Sequence, residues 1–561
     1  MLKILHQLPF RKFRETHSLV LMNLAQLGAI INDNIYKLSM VFLLIDTLGH
    51  QEASSILAKV GAIFVIPFLL FSSAAGILAD RFSKKWILSV MKVVEMSVLI
   101  AAIPIFLLRS SFGCYFLLFL LATHSAVFGP SKYGIIPELV NKEAVPKANS
   151  LVTSTTYLGI IIGTFLGPFL SNITGKRYVL VISFCICLAI AGLLCAIAIQ
   201  RTPRQGSTKN PSPLFFLEIY RTLEFCKKIE HLRVVLFGSA FFLFIGAYTQ
   251  LAIIPYTIES LHLDETVGGY LFLCTALGIA LGAFLSGKIL KKHIDLAIPC
   301  LASFALGILL LTLLFFAGHV SLVILALCLL GVAGGLFVVP LDSFTQLSCP
   351  NERRGQVIAA GNFVGFIGVL IASFFLYLFG AVLKINPAVS FGIMGILTLL
   401  FSLVFSFRLS NFLVQFLVRR MVHSPMTLEN EDLFFEAEER PLLILQHGSW
   451  KKFIFLSRLA PDYHFLLSNN TRFLYRWLAR FCYHLHLSPP SPTAILEKAR
   501  LLQKSGVPVC IILPYRFWIE KQGEQLSFSA LFKEKPLKHL IVDIQLPLAA
   551  KNTTVIRFSA E

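Results

Sequence analysis

Long apolar runs, separated by short polar segments, fill most of the chain up to about residue 408. A helix that crosses the hydrocarbon layer of a bilayer needs about 20 mostly apolar residues. Twelve runs meet this requirement, at about 19–46, 54–79, 86–108, 112–136, 147–172, 178–200, 233–258, 265–287, 296–317, 320–346, 357–382 and 387–408. The pattern therefore predicts an all-α membrane protein with twelve spans.

The longest polar interval among these runs lies at 201–232, between the sixth and the seventh. It contains four Pro and Gly residues near its start and many charged residues. We interpret it as a central loop between an N-terminal six-helix half, 18–200, and a C-terminal six-helix half, 233–408. Six helices, a long loop and six helices are the layout of a two-half transporter.

Lys and Arg gather in alternate loops, which predicts the orientation of the spans. Basic loops favour the cytoplasm, so both termini are predicted to be cytoplasmic, including the basic N-terminal segment 1–17. The residues predicted inside are Lys3, Arg11, Lys12, Arg14, Arg81, Lys84, Lys85, Lys142, Lys147, Lys288, Lys291, Lys292, Arg353, Arg354 and the basic residues of 201–233. Those predicted outside are Arg109, Lys176, Arg177 and Lys384.

Composition agrees with a membrane protein. The mean hydropathy is +0.77 and only 14% of the residues are charged, so lipid must replace part of the water around the chain. The net charge of +19 could indicate nucleic acid, but the basic residues lie in loops between apolar runs, so we expect no nucleic-acid partner. The 11 Cys residues show neither disulfide nor metal spacing, and no metal site is predicted.

The chain changes character after about residue 408. Basic and apolar residues alternate at 409–430, which we interpret as a linker along the membrane surface. Residues 431–561 hold strand-like runs at Leu442–Leu445 and Val507–Leu513 and a helical pattern at 491–504. These patterns predict a C-terminal α/β domain.

A polar segment between the second and third spans is the clearest local motif. It runs from Gly76 to Lys85 and contains Asp80 and Arg81. Gly76 permits close approach of two helices, Asp80 can meet a helix N-terminus or an Arg of the other half, and Arg81, Lys84 and Lys85 are basic. We expect these five residues to gate the transporter rather than contact its substrate. The corresponding segment 282–292 of the second half keeps glycines and basic residues but lacks the Asp-Arg pair.

The first span contains a stripe of polar residues, namely Asn23, Gln26, Asp33, Asn34 and Lys37. A carboxylate near the middle of a bilayer costs about 2.5–3.5 kcal/mol or more, so Asp33 must face a cavity or a partner. One interpretation is an Asp33–Lys37 pair that neutralises itself. The other is a site for a coupling cation or for the amine of a substrate.

Seven further candidate positions lie in other spans. Lys92 and Glu95 in the third span are spaced to neutralise each other. Lys132 stands near the end of the fourth span. There its side chain could simply extend to the membrane interface, which would explain a lysine at this position without a role in binding. Second-half candidates are Tyr248, Gln250, Asp342 and Gln346, and Asp342 could instead lie in interfacial water.

A weak internal repeat relates the two halves. The segment from Pro130 leads to Asn149, and the segment from Pro340 leads through charged residues to Asn362. Each stretch joins the fourth span of its half to the fifth.

Several segments are similar to those of bacterial lysophospholipid transporters, which are major facilitator proteins. They are Asn32-Asp33-Asn34, the stretch Gly129 to Leu139, Lys147 to Leu151, Gly334 to Leu341, and Arg354 to Ala360. The Gly76–Lys85 segment resembles the superfamily's signature loop, except that Ser83 stands where the signature has its second glycine. The resemblance spans roughly 18–408 and implies the twelve-helix major facilitator fold.

The resemblance also implies a function. The family moves lysophospholipids, chiefly lysophosphatidylethanolamine, across the inner membrane. Asp33, Asn34, Lys132 and Gln250 are then the expected substrate or ion contacts, with no cofactor, and a sodium ion or a proton could be the coupling ion. Thr153 and Gln250 replace an acidic residue and an Arg found in some members. We expect a monomer. The alternative within the superfamily is an exporter of another amphipathic solute.

Residues 441–516 resemble a 2-acylglycerophosphoethanolamine acyltransferase domain that follows the transporter in a fused form. His447 stands at the position of the catalytic base, but the Asp expected five residues later is Lys452. The segment Leu513 to Arg516 lacks the family's Glu. We therefore expect a degenerate, inactive domain. A transporter that also reacylates lysolipid is the enzymatic alternative. Because no synthetase segment follows, a separate acyl-carrier synthetase or acyl carrier protein is an expected partner.

Overall fold

We describe a computed structural model of the protein. It describes residues 9–211, 214–290, 294–410, 412–413, 416, 463 and 498–499, together with the seven strands given below.

Twelve long helices form the membrane part of the described chain, which confirms the predicted number of spans. The first half contains α1 (Pro9–Leu48), α2 (Ala53–Arg81), α3 (Lys84–Leu107), α4 (Ser111–Gly134), the short α5 (Ile136–Leu139), α6 (Val145–Ile173) and α7 (Tyr178–Ala198). The second half contains α9 (Leu232–Pro255), α10 (Glu265–Ile289), α11 (Ala297–Phe315), α12 (Val320–Ser348), α13 (Arg354–Tyr377) and α14 (Pro387–Arg408). Among these thirteen helices, α5 alone is too short to span a bilayer.

The sequence led us to expect a loop throughout 201–232, but the segment is not wholly a loop. Helix α8 (Phe215–Cys226) occupies its second part. Phe216 and Tyr220 on this helix are exposed, whereas Glu218 and Ile219 are buried. Twelve residues are enough for an amphipathic helix but too few for a span. A search for apolar runs of about 20 residues therefore does not detect this helix.

The two halves meet along two seams, α2 against α13 and α6 against α10. Phe68 and Phe366 stack across the first seam with their ring centroids 4.0 Å apart. Across the second, the Ser154 hydroxyl donates to the Ala280 carbonyl at 2.9 Å. The seams therefore join the halves from one end of the helices to about their middle. We call that end, where α2 ends and α13 begins, the Asp80 end.

Within the second half, α10 and α12 approach at backbone distance. A Cβ added to Gly278 or Gly282 would collide with the backbone of α12, and one added to Gly331 or Gly335 would collide with that of α10. Small residues permit such contact between helices in lipid, where packing replaces the hydrophobic effect as the driving force.

The C-terminal part forms a separate unit beginning at Val404. Its strands are β1 (Met426–Glu429), β2 (Leu442–Leu445), β3 (His464–Ser468), β4 (Leu485–Ser488), β5 (Val509–Ile512), β6 (His539–Gln545) and β7 (Thr554–Ala560). They form one sheet in the order β1-β7-β6-β2-β5-β3-β4. All neighbours are parallel except β6 and β7.

Two predicted strands are confirmed, since β2 has the predicted bounds and β5 lies within 507–513. The boundary of the linker was wrong, because β1 lies inside 409–430 and pairs with β7. Its four residues give too short a pattern to separate from alternating basic and apolar residues. His447, Lys452 and most of 491–504 lie outside the described residues, so the resemblance of this unit to an acyltransferase stays a prediction.

Candidate functional site: a cavity between the two halves

A cavity of about 950 Å³ lies between the two halves. Its wall includes Leu57 near the start of α2 and Ser373 near the end of α13, so it extends toward the end of the helices opposite the Asp80 end. Lys132 and Tyr133 on α4 form its floor on the Asp80 side. This volume is in the range of sites that bind small molecules.

All four predicted substrate or ion contacts line this one cavity. Asp33 and Asn34 come from α1, Lys132 from α4 and Gln250 from α9. The structure thus brings the predicted residues together, while the role of each remains a prediction.

Asp33 accepts a hydrogen bond through one carboxylate oxygen only. The Ser125 hydroxyl on α4 donates to Oδ2 at 2.7 Å. Oδ1 is buried, and no group among the described residues donates to it. A buried carboxylate oxygen without a donor is costly, and it is a ready acceptor for an ammonium group or a cation in the cavity.

The interpretation of Asp33 and Lys37 as a direct pair does not describe the structure. Lys37 Nζ donates to Asn34 Oδ1 at 3.3 Å, and the Asn34 amide donates to the Ile30 carbonyl. No ion pair within 4.0 Å joins Lys37 to Asp33 in the described part of the chain. The partner of Asp33 comes instead from α4, which helical spacing within α1 could not reveal.

A charged cluster lies behind this wall of the cavity. Lys92 Nζ and Glu95 Oε2 form the predicted pair at 2.6 Å, and both side chains are fully buried. Sequence reasoning missed two further members. Asn32 donates to Glu95 Oε1 at 2.8 Å, and His124 Nε2 lies 3.7 Å from Glu95 Oε2. The cluster thus connects α1, α3 and α4, and spacing along one helix gives no signal for such contacts.

The second half supplies a mostly apolar wall. Its apolar members are Phe242, Leu243, Ile245, Leu251, Phe272, Ile279, Leu306, Leu330, Phe366, Val369 and Leu370. Gln250 is exposed to the cavity on this side, where it is one of a few polar groups. The charged and histidine side chains of the lining, Asp33, Lys37, His124 and Lys132, therefore all come from the first half, whereas the second half contributes none.

Asp80 joins the two halves at the Asp80 end. Its carboxylate accepts from the backbone N–H groups of Gly355 and Gln356 at 2.6 and 2.9 Å, and from the Gln356 side chain at 3.0 Å. These groups form the first turn of α13, whose unpaired N–H groups and dipole favour a negative charge. Of the two partners that the sequence allowed, the helix N-terminus is the one observed.

Gly76 allows this contact to form. A Cβ at this position would lie 2.7 Å from the Ala359 Cβ and 2.8 Å from the Gly355 carbonyl oxygen. Any larger residue would force α2 and α13 apart, so the glycine and the carboxylate act on the same seam.

The basic residues of the Gly76–Lys85 segment make contacts at the Asp80 end, two of them with the segment that follows α7. Arg81 donates to Asn210, and the backbone N–H of Lys85 donates to Thr202 at 3.2 Å. Lys84 is fully buried and forms an ion pair with Glu138 at 2.6 Å. Gln205 also donates to Glu138, at 2.9 Å.

Residue Lys209 extends these contacts to the second half, where it donates to Gln356 at 3.2 Å. It also forms an ion pair with Glu218 of α8. The segment 201–211 is therefore a strap that binds side chains of both halves across the Asp80 end. The sequence had shown only a polar loop here.

A cavity between two six-helix halves, closed at one end by contacts between them and lined by buried ionisable groups, defines a membrane transporter of the two-half class. Residues 22–373 match the model of the Major Facilitator Superfamily, and a second match covers 236–453. The chain belongs to this superfamily.

Proteins similar to this chain include the lysophospholipid transporter LplT of two bacteria. The Escherichia fergusonii protein is 29% identical over 347 residues, which cover 59% of this chain and 81% of that protein. The Citrobacter koseri protein is 28% identical over 343 residues, with the same two coverages.

Solved structures support the fold. The human organic anion transporter MFSD10 superimposes with a TM-score of 0.57 at 14% identity, covering 71% of this chain and all of that one. The fucose:proton symporter FucP of E. coli gives a TM-score of 0.57 at 13% identity, covering 70% of this chain and 99% of that one.

Proposed function

We propose that this protein moves lysophospholipids, with lysophosphatidylethanolamine the expected substrate, across the inner membrane by alternating access. One observation carries the proposal, namely that the charged side chains lining the cavity all come from the first half, whereas the second half contributes mainly apolar side chains. A single-chain phospholipid has the same division, because its head group is charged and its chain is hydrocarbon.

The head group would meet the first half. Asp33 lines the cavity, and its buried Oδ1, which has no donor among the described residues, suits the ammonium of ethanolamine or a coupling cation, either sodium or a proton. Lys132 suits the phosphate. Ser125, which bonds Asp33, lies seven residues before Lys132 on α4, a rise of about 10 Å, so one extended head group could contact both side chains.

The acyl chain would lie against the second half. Phe242, Phe272 and their apolar neighbours offer hydrocarbon contacts without a polar group that would need a partner. The names of the similar bacterial proteins support the same substrate class.

The Asp80 end would face the cytoplasm, because the basic residues of the loops lie there. Both termini would then be cytoplasmic. In the arrangement described here the cavity extends toward the outer side, and the strap and the Asp80 contacts must break before it can open inward.

Transport into proteoliposomes tests the proposal. Purified protein is reconstituted, and uptake of labelled lysophosphatidylethanolamine is followed with a sodium gradient, with a proton gradient and with neither. Protein-dependent uptake is expected, and the gradient that accelerates it identifies the coupling ion. Absence of uptake under all three conditions would favour the superfamily alternative, an exporter of another amphipathic solute.

The C-terminal unit is proposed to be a degenerate acyltransferase-like domain without activity. The mostly parallel sheet is typical of α/β enzymes, but the residue at the Asp position is Lys452, which cannot orient the imidazole of His447. Incubation of the full chain with lysophosphatidylethanolamine and an acyl donor should give no diacyl product. Product that is lost in His447→Ala would establish the bifunctional alternative instead.

A further inference from the structure

His124 on α4 is a buried histidine to which the proposed function gives no role. Its side chain is fully buried, yet it forms part of the lining of the cavity. Neither ring nitrogen forms a hydrogen bond with a residue that the structure describes. A buried polar group without a partner is costly, so a residue that served packing alone would be more stable here as an apolar side chain. The two open nitrogens therefore point to a role in binding.

The Glu95 carboxylate on α3 faces this ring. Its Oε2 lies 3.7 Å from His124 Nε2, just beyond the length of a hydrogen bond. Both carboxylate oxygens already have donors, because Oε2 accepts from Lys92 at 2.6 Å and Oε1 from Asn32 at 2.8 Å. The cluster thus balances one ammonium against one carboxylate. The imidazole is the group in it that can change its charge near physiological pH, by binding a proton.

Other charged groups lie around the ring or line the cavity with it. They are Lys92 on α3, Asp33 and Lys37 on α1, and Lys132 on α4 itself. The cavity lining contributed by α2 and α13, which also pack on α4, contains no ionisable side chain among the described residues. A proton on His124 would therefore be attracted chiefly by Glu95, the carboxylate that faces it directly.

Two pairs of adjacent residues connect this cluster to the Asp33 site. On α1, Asn32 donates to Glu95 and is followed directly by Asp33. On α4, His124 is followed directly by Ser125, which donates to Asp33. A movement of the ring that closes the 3.7 Å gap to Glu95 would displace Ser125 relative to Asp33. The state of the ring is thereby transmitted to the site proposed for the head group.

We propose that His124 is the residue that binds the coupling proton of this transporter. Its neutral imidazole takes a proton from water that enters the cavity and becomes an imidazolium, whose Nε2–H donates to the Glu95 carboxylate. The same proton returns to water when the cavity opens to the cytoplasm, so only one N–H bond forms and breaks. This inference rests on the proposed function. It selects the proton over sodium and leaves Asp33 for the ammonium of the substrate.

Transport by the full-length protein in proteoliposomes tests this role through two readouts. Exchange of labelled for unlabelled lysophosphatidylethanolamine without a gradient reports folding and head-group binding. Acceleration of uptake by an inward proton gradient reports coupling. His124→Gln keeps a polar side chain but cannot carry the proton, so it should retain exchange and lose the acceleration. His319→Gln, at an exposed histidine outside the cavity, should behave as the wild type.

Glu95→Gln tests the counter-charge of the proton. The amide can still accept a hydrogen bond but no longer attracts an imidazolium, so the acceleration should be lost here too. Asp46→Asn is the matched control, because Asp46 bonds Lys176 and Tyr178 at the end of the helices opposite the Asp80 end. It should keep both exchange and acceleration.

The wild type keeps the test decisive if a variant fails to fold. A pH-sensitive dye trapped in the vesicles should report acidification as lysolipid enters. No acidification, a response to a sodium gradient alone, or acceleration that persists in His124→Gln would overturn the proposal and leave the proposed function intact. Wild-type protein that exchanges no lysolipid would instead refute the proposed function, and the inference with it.

Discussion

The two halves share a fold but differ in how they close the Asp80 end. In the first half, Asp80 at the end of α2 accepts from two backbone N–H groups of α13. In the second half, the equivalent end of α10 carries Ser286 and Gly287, and Gly287 packs against Ser150 of α6. One seam is therefore closed by a charge on a helix N-terminus, whereas the other is closed by close packing of small residues and the hydrogen bond from Ser154 to Ala280.

The same contrast holds in the cavity. The lining of the first half includes Asp33, Lys37 and Lys132, whereas that of the second half is mainly hydrocarbon. The two halves share one topology, but the first contributes charged side chains to the cavity and the second contributes apolar ones. The comparison predicts that charge changes in the first half will alter function more than equivalent changes in the second.

Asp33→Asn should have the largest effect. Removal of the charge leaves a neutral amide where an ammonium or a cation is expected, and a charge-assisted hydrogen bond contributes about 1.5–3 kcal/mol, so uptake should fall on the order of 100-fold. Uptake of labelled lysophosphatidylethanolamine in proteoliposomes measures this. Asp46→Asn should transport normally, and unchanged uptake in Asp33→Asn would remove this carboxylate from the mechanism.

Asp80→Asn should come next, with about a tenfold loss of transport. The amide is a weaker acceptor than the carboxylate and has no charge to meet the dipole of α13, so the closed Asp80 end becomes less stable by about 1 kcal/mol or more. Ser286→Ala at the equivalent position of the second half should change transport little. Equal effects of the two substitutions would contradict the asymmetry between the seams.

Phe272→Gln should lower affinity for long-chain lysolipids by several-fold. It puts a polar side chain into the apolar wall, and each buried methylene of the acyl chain contributes about 0.8 kcal/mol at most. Competition by lysolipids of increasing chain length measures the effect. Phe112→Gln, at an exposed position outside the cavity, is the control. A chain-length dependence that matches the wild type would show that the acyl chain lies elsewhere.

Lys209→Ala should have the smallest effect. It removes the strap's contacts with Gln356 and Glu218, but the side chain is partly exposed, and such pairs contribute about 0–1 kcal/mol. The melting temperature should fall slightly, and more than in Lys227→Ala, whose ion pair stays within the α8 region. A larger drop for Lys227→Ala would mean that the strap does not hold the halves together.

The spans could be predicted from the sequence because each depends only on the local density of apolar residues. Helix α8 could not, because its 12 residues follow a polar stretch and its apolar side is too short to register as a span. Likewise β1, with four residues, lies within the predicted surface linker.

The sequence was enough to predict which residues line the site, but not which residues they contact. The cost of burying a carboxylate singled out Asp33, yet its donor, Ser125, lies in another helix. Asn32 and His124 escaped notice because their contacts with Glu95 depend on packing among α1, α3 and α4. Helical periodicity ranks residues on one helix and carries no information about which helix faces them.

The glycines between α10 and α12 have a consequence for how the transporter can move. Backbones that touch without intervening side chains cannot slide or tilt against each other without collision. The two helices must therefore move as one rigid body. Flexing of the second half is thereby confined to the segments and helices around this rigid pair. A larger residue at Gly335, which does not line the cavity, would force α10 and α12 apart and so loosen the half without changing the cavity lining directly.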